Sequence, residues 1–295
     1  MRILLVLLTG LLFLTGCQRN STPTGLEETP NALAQNPTAT PEAPGTGEAQ
    51  NPHSQPIVVS AVWGPITGER FEALTESQDY VGQLTDLEAA EPQRTYQASD
   101  FADFLPPDGV TIGQTWELPE TVGQRFLSQL HPDVRTAMNF NGSGAHAIVS
   151  SESDEFIEIL FRLHAQFELA NQLFISPSQF DGRMIVNTGS GQVEYFSVEV
   201  PPGHGRNIAF EQYSQAAESG VGLIETMSLS AGAIPEVKWD RQMATADARE
   251  FLADAFFEFH KIDWVPIDQA LKKAKDLERP VFAVILEGAL DDQSC

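Results

Sequence analysis

Two cysteines set the chemistry open to this chain, and both lie far from its middle. Cys17 follows Arg2, an apolar run from Ile3 to Phe13, and Leu14-Thr15-Gly16. A basic start, a short apolar stretch and small residues before a cysteine form the layout of a bacterial lipoprotein leader. The apolar run is too short to cross a bilayer as a helix. On this reading residues 1–16 are a signal peptide and Cys17 becomes the lipid-modified first residue. The expected location is the bacterial cell envelope, extracytoplasmic, with the membrane as a partner through that lipid. An ordinary secretory leader with an incidental cysteine is the alternative. Cys295 is then left over in an oxidising compartment, which points to intermolecular pairing or a reactive thiol. No disulfide within the chain and no multi-cysteine zinc site is expected.

Other chemistry-bearing residues are weaker candidates. His164 lies in a strand pattern, where a satisfied structural histidine is the expected reading. His146 and His204 flank glycines without acidic or histidine partners at metal spacing, so no metal site is expected. Ser143 sits in Asn141-Gly142-Ser143-Gly144, which lacks the strand-to-helix elbow of a hydrolase nucleophile and reads as a turn. Charge narrows the field further. With 41 acidic against 17 basic residues, the formal charge is −24, which argues against nucleic-acid partners, whose phosphates need a basic face. No Asp-x-[Asp/Asn]-x-[Asp/Asn]-Gly calcium loop is present.

The elements that must position these residues follow from texture. Residues 17–56 are rich in Pro, Thr, Asn, Ala, Gly and Gln, and read as a disordered tether that cannot bury enough surface to order itself. Residues 57–237 show short apolar runs broken by Gly, Pro, Asn and Ser, and read as a β-rich domain. Ile57 to Trp63 is a predicted strand closed by Gly64-Pro65. Phe156 to Phe167 reads as one long strand, and Arg183–Val186 with Gln192–Val200 reads as a hairpin about Asn187 to Gly191. Val122 to Leu130 reads as a helix stopped by His131-Pro132. Past residue 237 the texture changes: every lysine of the chain lies at or after Lys238. Ala244 to Phe259 has helical spacing, and Asp263 to Pro266 could form a short strand. Asp268 to Leu277 reads as a helix with Ala270, Leu271 and Ala274 inward, and Pro280 to Leu286 as a buried strand. Strand, helix, strand and a cysteine-bearing loop is the opening order of a thioredoxin-like fold. In that fold a helix N-terminus lowers the pKa of the redox chalcogen. The predicted fold class is α+β: a β-rich middle domain followed by the incomplete N-terminal half of a thioredoxin-like domain over 238–295. A buried strand needs neighbours, so the chain reads as one that stops inside that domain.

The segment Gly288-Ala289-Leu290-Asp291-Asp292-Gln293-Ser294-Cys295 resembles the redox loop of the selenoprotein N family. Trp264-Val265-Pro266, the helix after it, the apolar strand and Val237-Lys238-Trp239 are similar to the segment preceding that loop. A second similar block is Phe161-Arg162-Leu163-His164-Ala165-Gln166-Phe167, followed by Ser176-Pro177-Ser178-Gln179-Phe180-Asp181-Gly182. The resemblance covers about 155–210 and 237–295 and implies a thiol/selenol-disulfide oxidoreductase. It implies that selenocysteine follows Cys295, with a selenocysteine codon read as a stop, and that no other cofactor is required. Cys295 would be the resolving partner beside Ser294, with Gly288, Asp291, Asp292 and Gln293 shaping the loop. A protein or small-molecule thiol or disulfide would be the partner. The chain as given is then expected to show little activity. The family's calcium loop has no counterpart, so calcium sensing is not carried over. The competing reading is a non-enzymatic surface lipoprotein whose β-rich domain binds a ligand or partner protein.

Overall fold

The structure is a computed structural model, which describes residues 3–6, 55–67, 84, 86–136, 145–201, 207–212, 218–256 and 264–285. β1 (Ile3–Val6) is followed by β2 (Ile57–Trp63) and, after Gly64-Pro65, β3 (Ile66–Thr67). β2 buries Ile57, Val59, Ala61 and Trp63 while Val58 and Val62 face outward, the period-two signature of a strand with one core face. β4 (Gln93–Tyr96) leads into a 3-10 segment over Ala98–Phe104, then β5 (Thr115–Glu117). α1 (Glu120–Leu127) starts behind Pro119 and buries Val122, Phe126 and Leu127, and β6 (Val134–Arg135) follows. The long middle run is β7 (Ala145–Glu152), β8 (Phe156–Leu163), β9 (Gln166–Glu168), β10 (Leu173–Pro177) and β11 (Phe180–Asn187). Next come β12 (Val193–Glu199), β13 (Ile208–Gln212), β14 (Glu218–Ile224), β15 (Met227–Gly232) and β16 (Arg241–Gln242). α2 (Thr245–Phe256), α3 (Ile267–Asp276) and β17 (Phe282–Ile285) close the described chain.

The strands form a nine-stranded sheet, β16-β7-β8-β11-β12-β15-β2-β4 with β5 also on β7, and a six-stranded sheet, β3-β14-β13-β10-β9-β6. The described pairings are antiparallel. The chain passes repeatedly from one sheet to the other, and two of these passages matter most for function. β8 belongs to the nine-stranded sheet and β9 to the six-stranded one, with His164-Ala165 between them. β10 and β11 make the return at Ser178-Gln179. Corners of this kind are how two packed sheets share strands.

One aromatic core fills the space behind the nine-stranded sheet. Phe104 lies 4.5 Å from Phe161, Phe126 lies 5.0 Å from Phe196 and Phe101 lies 5.1 Å from Phe196, ring centre to ring centre. Tyr96 stacks on Phe126 at 4.6 Å. The tilted and edge-on ring pairs among them follow the quadrupole preference of aromatics. A second, smaller cluster lies on the opposite face of that sheet, where Ala248 and Leu252 of α2 pack on Ile148 of β7 and Leu160 of β8.

The result is a strand-rich α+β protein with few helices. The predicted strand over Ile57–Trp63 is present, and so is the hairpin. Asn187 makes its turn by accepting from the backbone N–H groups of Gly189 at 3.1 Å and Ser190 at 2.9 Å. The expected single strand from Phe156 to Phe167 is instead two, because the chain changes sheets at His164-Ala165. The helix expected from Val122 begins two residues earlier at Glu120. In α3, Ala270 and Ala274 face inward as expected, but Leu271 is 56% exposed and Lys272, Lys273 and Lys275 are exposed. The short strand expected before α3 is reduced to a bridge at Val265. β17 pairs with β1, Ile3 opposite Ile285 and Val6 opposite Phe282. An apolar segment that meets an open strand edge satisfies its backbone there.

Candidate functional site

The cysteine-bearing residues expected to do chemistry lie outside the described residues. These are Cys17, Gly288, Asp291, Asp292, Gln293, Ser294 and Cys295, and Ser143 and His204 join them. What the structure does bring together is the second family-like block. β8 and β11 run side by side with Arg162 opposite Asp181, and β7 adds His146 opposite Arg162. Alternation sends Phe161, Leu163, Phe180 and Met184 into the aromatic core, so Arg162 and Asp181 must face the other way, toward α2.

The cluster is built from side chains that rarely go inside unless paired. Arg162, His164, Gln179 and Asp181 are all buried. Arg162 Nε donates to His164 Nε2 at 2.9 Å. A guanidinium has no acceptor, so His164 Nε2 is the accepting atom of this contact. Gln179 Nε2 donates to Asp181 Oδ1 at 3.0 Å. Arg249, on the second turn of α2, reaches across to Asp181 Oδ2 at 2.5 Å. Phe256, in the last turn of α2, covers the cluster. Its ring stacks on His164 at 4.4 Å with 12° between planes, and meets His146 edge-on at 4.7 Å. The Arg162 guanidinium lies over the same ring at 5.4 Å, a cation–π contact. Burial holds the His146 imidazole below the usual histidine range, opposed by the Glu117 carboxylate on the neighbouring strand.

One strand step along, the same face carries a second network. The β7 ladder shifts register between Val149 and Ser151, a bulge that turns two successive serines to one side. Ser150 Oγ and Ser151 Oγ each donate to Glu158 Oε2 at 2.7 Å, and Arg183 Nε donates to Glu158 Oε1 at 2.7 Å. Both oxygens of the buried Glu158 side chain are therefore engaged, so its burial leaves neither without a partner. Its hydrogen bonds make this network a fastening of the sheet.

Among the described residues no group of three or more His, Cys, Asp or Glu side chains could hold a metal ion. His164 is buried and accepts from Arg162, and His146 is part of the same cluster. Sequence reasoning missed that the two blocks converge. The signal was there: Arg162 and His164 alternate with core residues in one block, and Gln179 and Asp181 do so in the other. Only the strand register shows that they face each other. No helix among the described residues is long and apolar enough to cross a membrane.

A β body of two antiparallel sheets, with a helix laid over a buried polar cluster, defines a strand-rich α+β protein. Comparison narrows the class. The chain is 25% identical to Selenoprotein N of Mus musculus over 83% of its own length and 56% of that protein's. It is 26% identical to Selenoprotein N of Homo sapiens over 83% and 53% of the two chains. Selenoprotein N of Danio rerio is 26% identical over 83% and 56%. The chain is selenoprotein N-like. It spans about half the length of these relatives. No family model and no solved structure matches it.

Proposed function

We propose that this is an extracytoplasmic, lipid-anchored thiol/selenol-disulfide oxidoreductase of the selenoprotein N kind. The observation that carries the proposal is the likeness to selenoprotein N over 83% of the chain. The terminal Gly288 to Cys295 segment, similar to that family's redox loop, supplies the residues. α3 and the β17 strand lead up to this loop, in the order of a thioredoxin-like domain over 238–295. The β body over 57–237 positions that domain, and residues 17–56 are the tether to the lipid on Cys17.

The chemistry assigned to Cys295 is thiol–disulfide exchange. The chalcogenolate next to it attacks one sulfur of a substrate disulfide, forms a mixed linkage with that sulfur and releases the other as a thiolate. The Cys295 thiolate then resolves that linkage by attacking its chalcogen atom, which closes the Cys295 pair and releases the second substrate thiolate. The substrate disulfide gains two electrons, and the Cys295 pair loses two and closes. A reduced protein or small-molecule thiol reopens it. In this reading selenocysteine follows Cys295, and the selenolate is the better leaving group of the pair. Without that residue Cys295 forms only mixed disulfides.

The nucleotides after the Cys295 codon decide this most cheaply. A UGA codon, an open frame beyond it and a selenocysteine insertion element are the expected result. Another stop codon, or no coding sequence downstream, would sink the oxidoreductase and leave a non-enzymatic surface lipoprotein. For the chain of 295 residues, thiol labelling of Cys295 without turnover of a disulfide substrate is expected.

A further inference from the structure

We propose that residues 233–239, the strap joining β15 to β16, are a strand-pairing surface for a second copy of this chain, in antiparallel register about Val237. The strap leaves β15 at Gly232, where φ is +69° and an added Cβ would lie 2.0 Å from Glu194 O. It ends where Asp240 N–H donates to Glu152 O at 3.0 Å, just before Arg241 of β16. β15 and β16 stand five strand positions apart in the nine-stranded sheet, about 24 Å at the usual spacing. The nine steps from Gly232 to Arg241 reach about 30 Å at full stretch. The strap is therefore extended, without a turn or bend over 233–239. Burial alternates along it as in a strand: Pro235, Val237 and Trp239 are half-buried, while Ile234, Glu236 and Lys238 are exposed. No hydrogen bond joins 233–239 to another described residue. This is a strand in shape that belongs to no sheet, and an extended backbone with unpaired N–H and C=O groups is a template for strand addition.

Charge selects the occupant. In a chain with 41 acidic and 17 basic residues, most symmetric contacts set acid against acid. The strap does the reverse. Two copies paired antiparallel about Val237 set Glu236 of each opposite Lys238 of the other, which gives two cross-strand ion pairs by symmetry. This register holds whichever edge of the strap pairs. Symmetric registers centred on Glu236 or on Lys238 instead set like charges face to face, so the charges favour the one centred on Val237. Charged residues on an open edge ordinarily guard it against indiscriminate pairing. Here the same two residues admit one partner, a strand of identical sequence.

Sedimentation velocity of the full chain with its thiols kept reduced, from about 1 to about 100 µM, tests this together with amide exchange at both concentrations. The expected result is a reversible dimer, with protection over 233–239 that rises with concentration. Glu236→Lys and Lys238→Glu each place two like-charge pairs in the dimer, and each should weaken it about tenfold. The two substitutions move the net charge in opposite directions, so a response to overall repulsion alone would shift them oppositely. Glu236→Lys combined with Lys238→Glu in one chain should restore the dimer. An equal mixture of the two single variants should do the same, because their charges match across the pair. Both side chains are exposed, so neither substitution disturbs the core. Four results overturn the pairing surface: monomers throughout the range, opposite shifts in the two single variants, no restoration in the double variant and the mixture, or dimers whose exchange over 233–239 does not change.

Discussion

At position 182 the sheet has room for a hydrogen atom and nothing larger. A Cβ built on Gly182 lies 1.8 Å from Phe161 Cε2, and Phe161 is fully enclosed by Phe104 and Phe196. Gly182→Ala should therefore cost at least the upper end of the about 1–3 kcal/mol typical of overpacking, read from urea midpoints. Gly189→Ala, whose Cβ meets only Asn187 Oδ1 at 3.5 Å, is the control and should be near neutral. Equal effects of the two would show that Phe161 can move aside. Two histidines make a second residue-scale prediction. Burial lowers both His131 and His146 below the ordinary value, so each is neutral in the folded chain while the unfolded chain binds its proton near pH 6.5. Between that pH and the lowered native values the unfolded state holds more protons. Stability is thus full above about pH 6.5 and falls as the pH drops through this window. The double substitution His131→Asn, His146→Asn should flatten the profile of urea midpoints between pH 7.5 and pH 5. A profile as steep as the parent's would refute the assignment.

At the scale of elements, α2 is the piece that can be separated from the rest. Leu252 is 2% exposed, in the small cluster with Ile148 and Leu160. Leu252→Ala should cost about 2–3 kcal/mol, the low end of buried leucine truncations, because this cluster borders solvent. The loss should appear as faster exchange across Thr245–Phe256 with the aromatic core intact. A uniform loss across β8 and β11 would show instead that helix and sheet unfold as one. The elements themselves were partly legible from residue types. Alternation announced β2, Asn187 to Gly191 announced the hairpin, and the lysines of α3 lie outside as their charge requires. The sheet change at His164-Ala165 was not legible, since alternation continues through it with no Gly or Pro to mark a corner. Leu271 was misjudged for a related reason: a helical stripe shows which residues share a face, not how wide the covered face is. The polar cluster was the least legible part, because Arg162 and Asp181 become neighbours only through register.

For the whole molecule, charge and topology govern behaviour. A formal charge of −24 repels itself in the compact state, and salt screens that repulsion within about 10 Å at 0.1 M. Raising sodium chloride from about 0.05 to 0.5 M should lift the Tm by a few degrees; a fall would show that ion pairs such as Arg249–Asp181 matter more than net repulsion. Topology has a further effect, on the order in which the molecule can assemble. β2 is paired on one side by β4, but its other neighbour is β15, with Ala61 opposite Leu229. In the six-stranded sheet, Ile66 likewise waits for Ile224. Neither sheet can close while the ribosome is still making residues before about 230. A nascent chain so long without its last strands stays open, and pairing across such separations is slow, on the millisecond-to-second scale. On the proposed extracytoplasmic reading, an export machine that threads unfolded polypeptide would meet this protein in the state it needs.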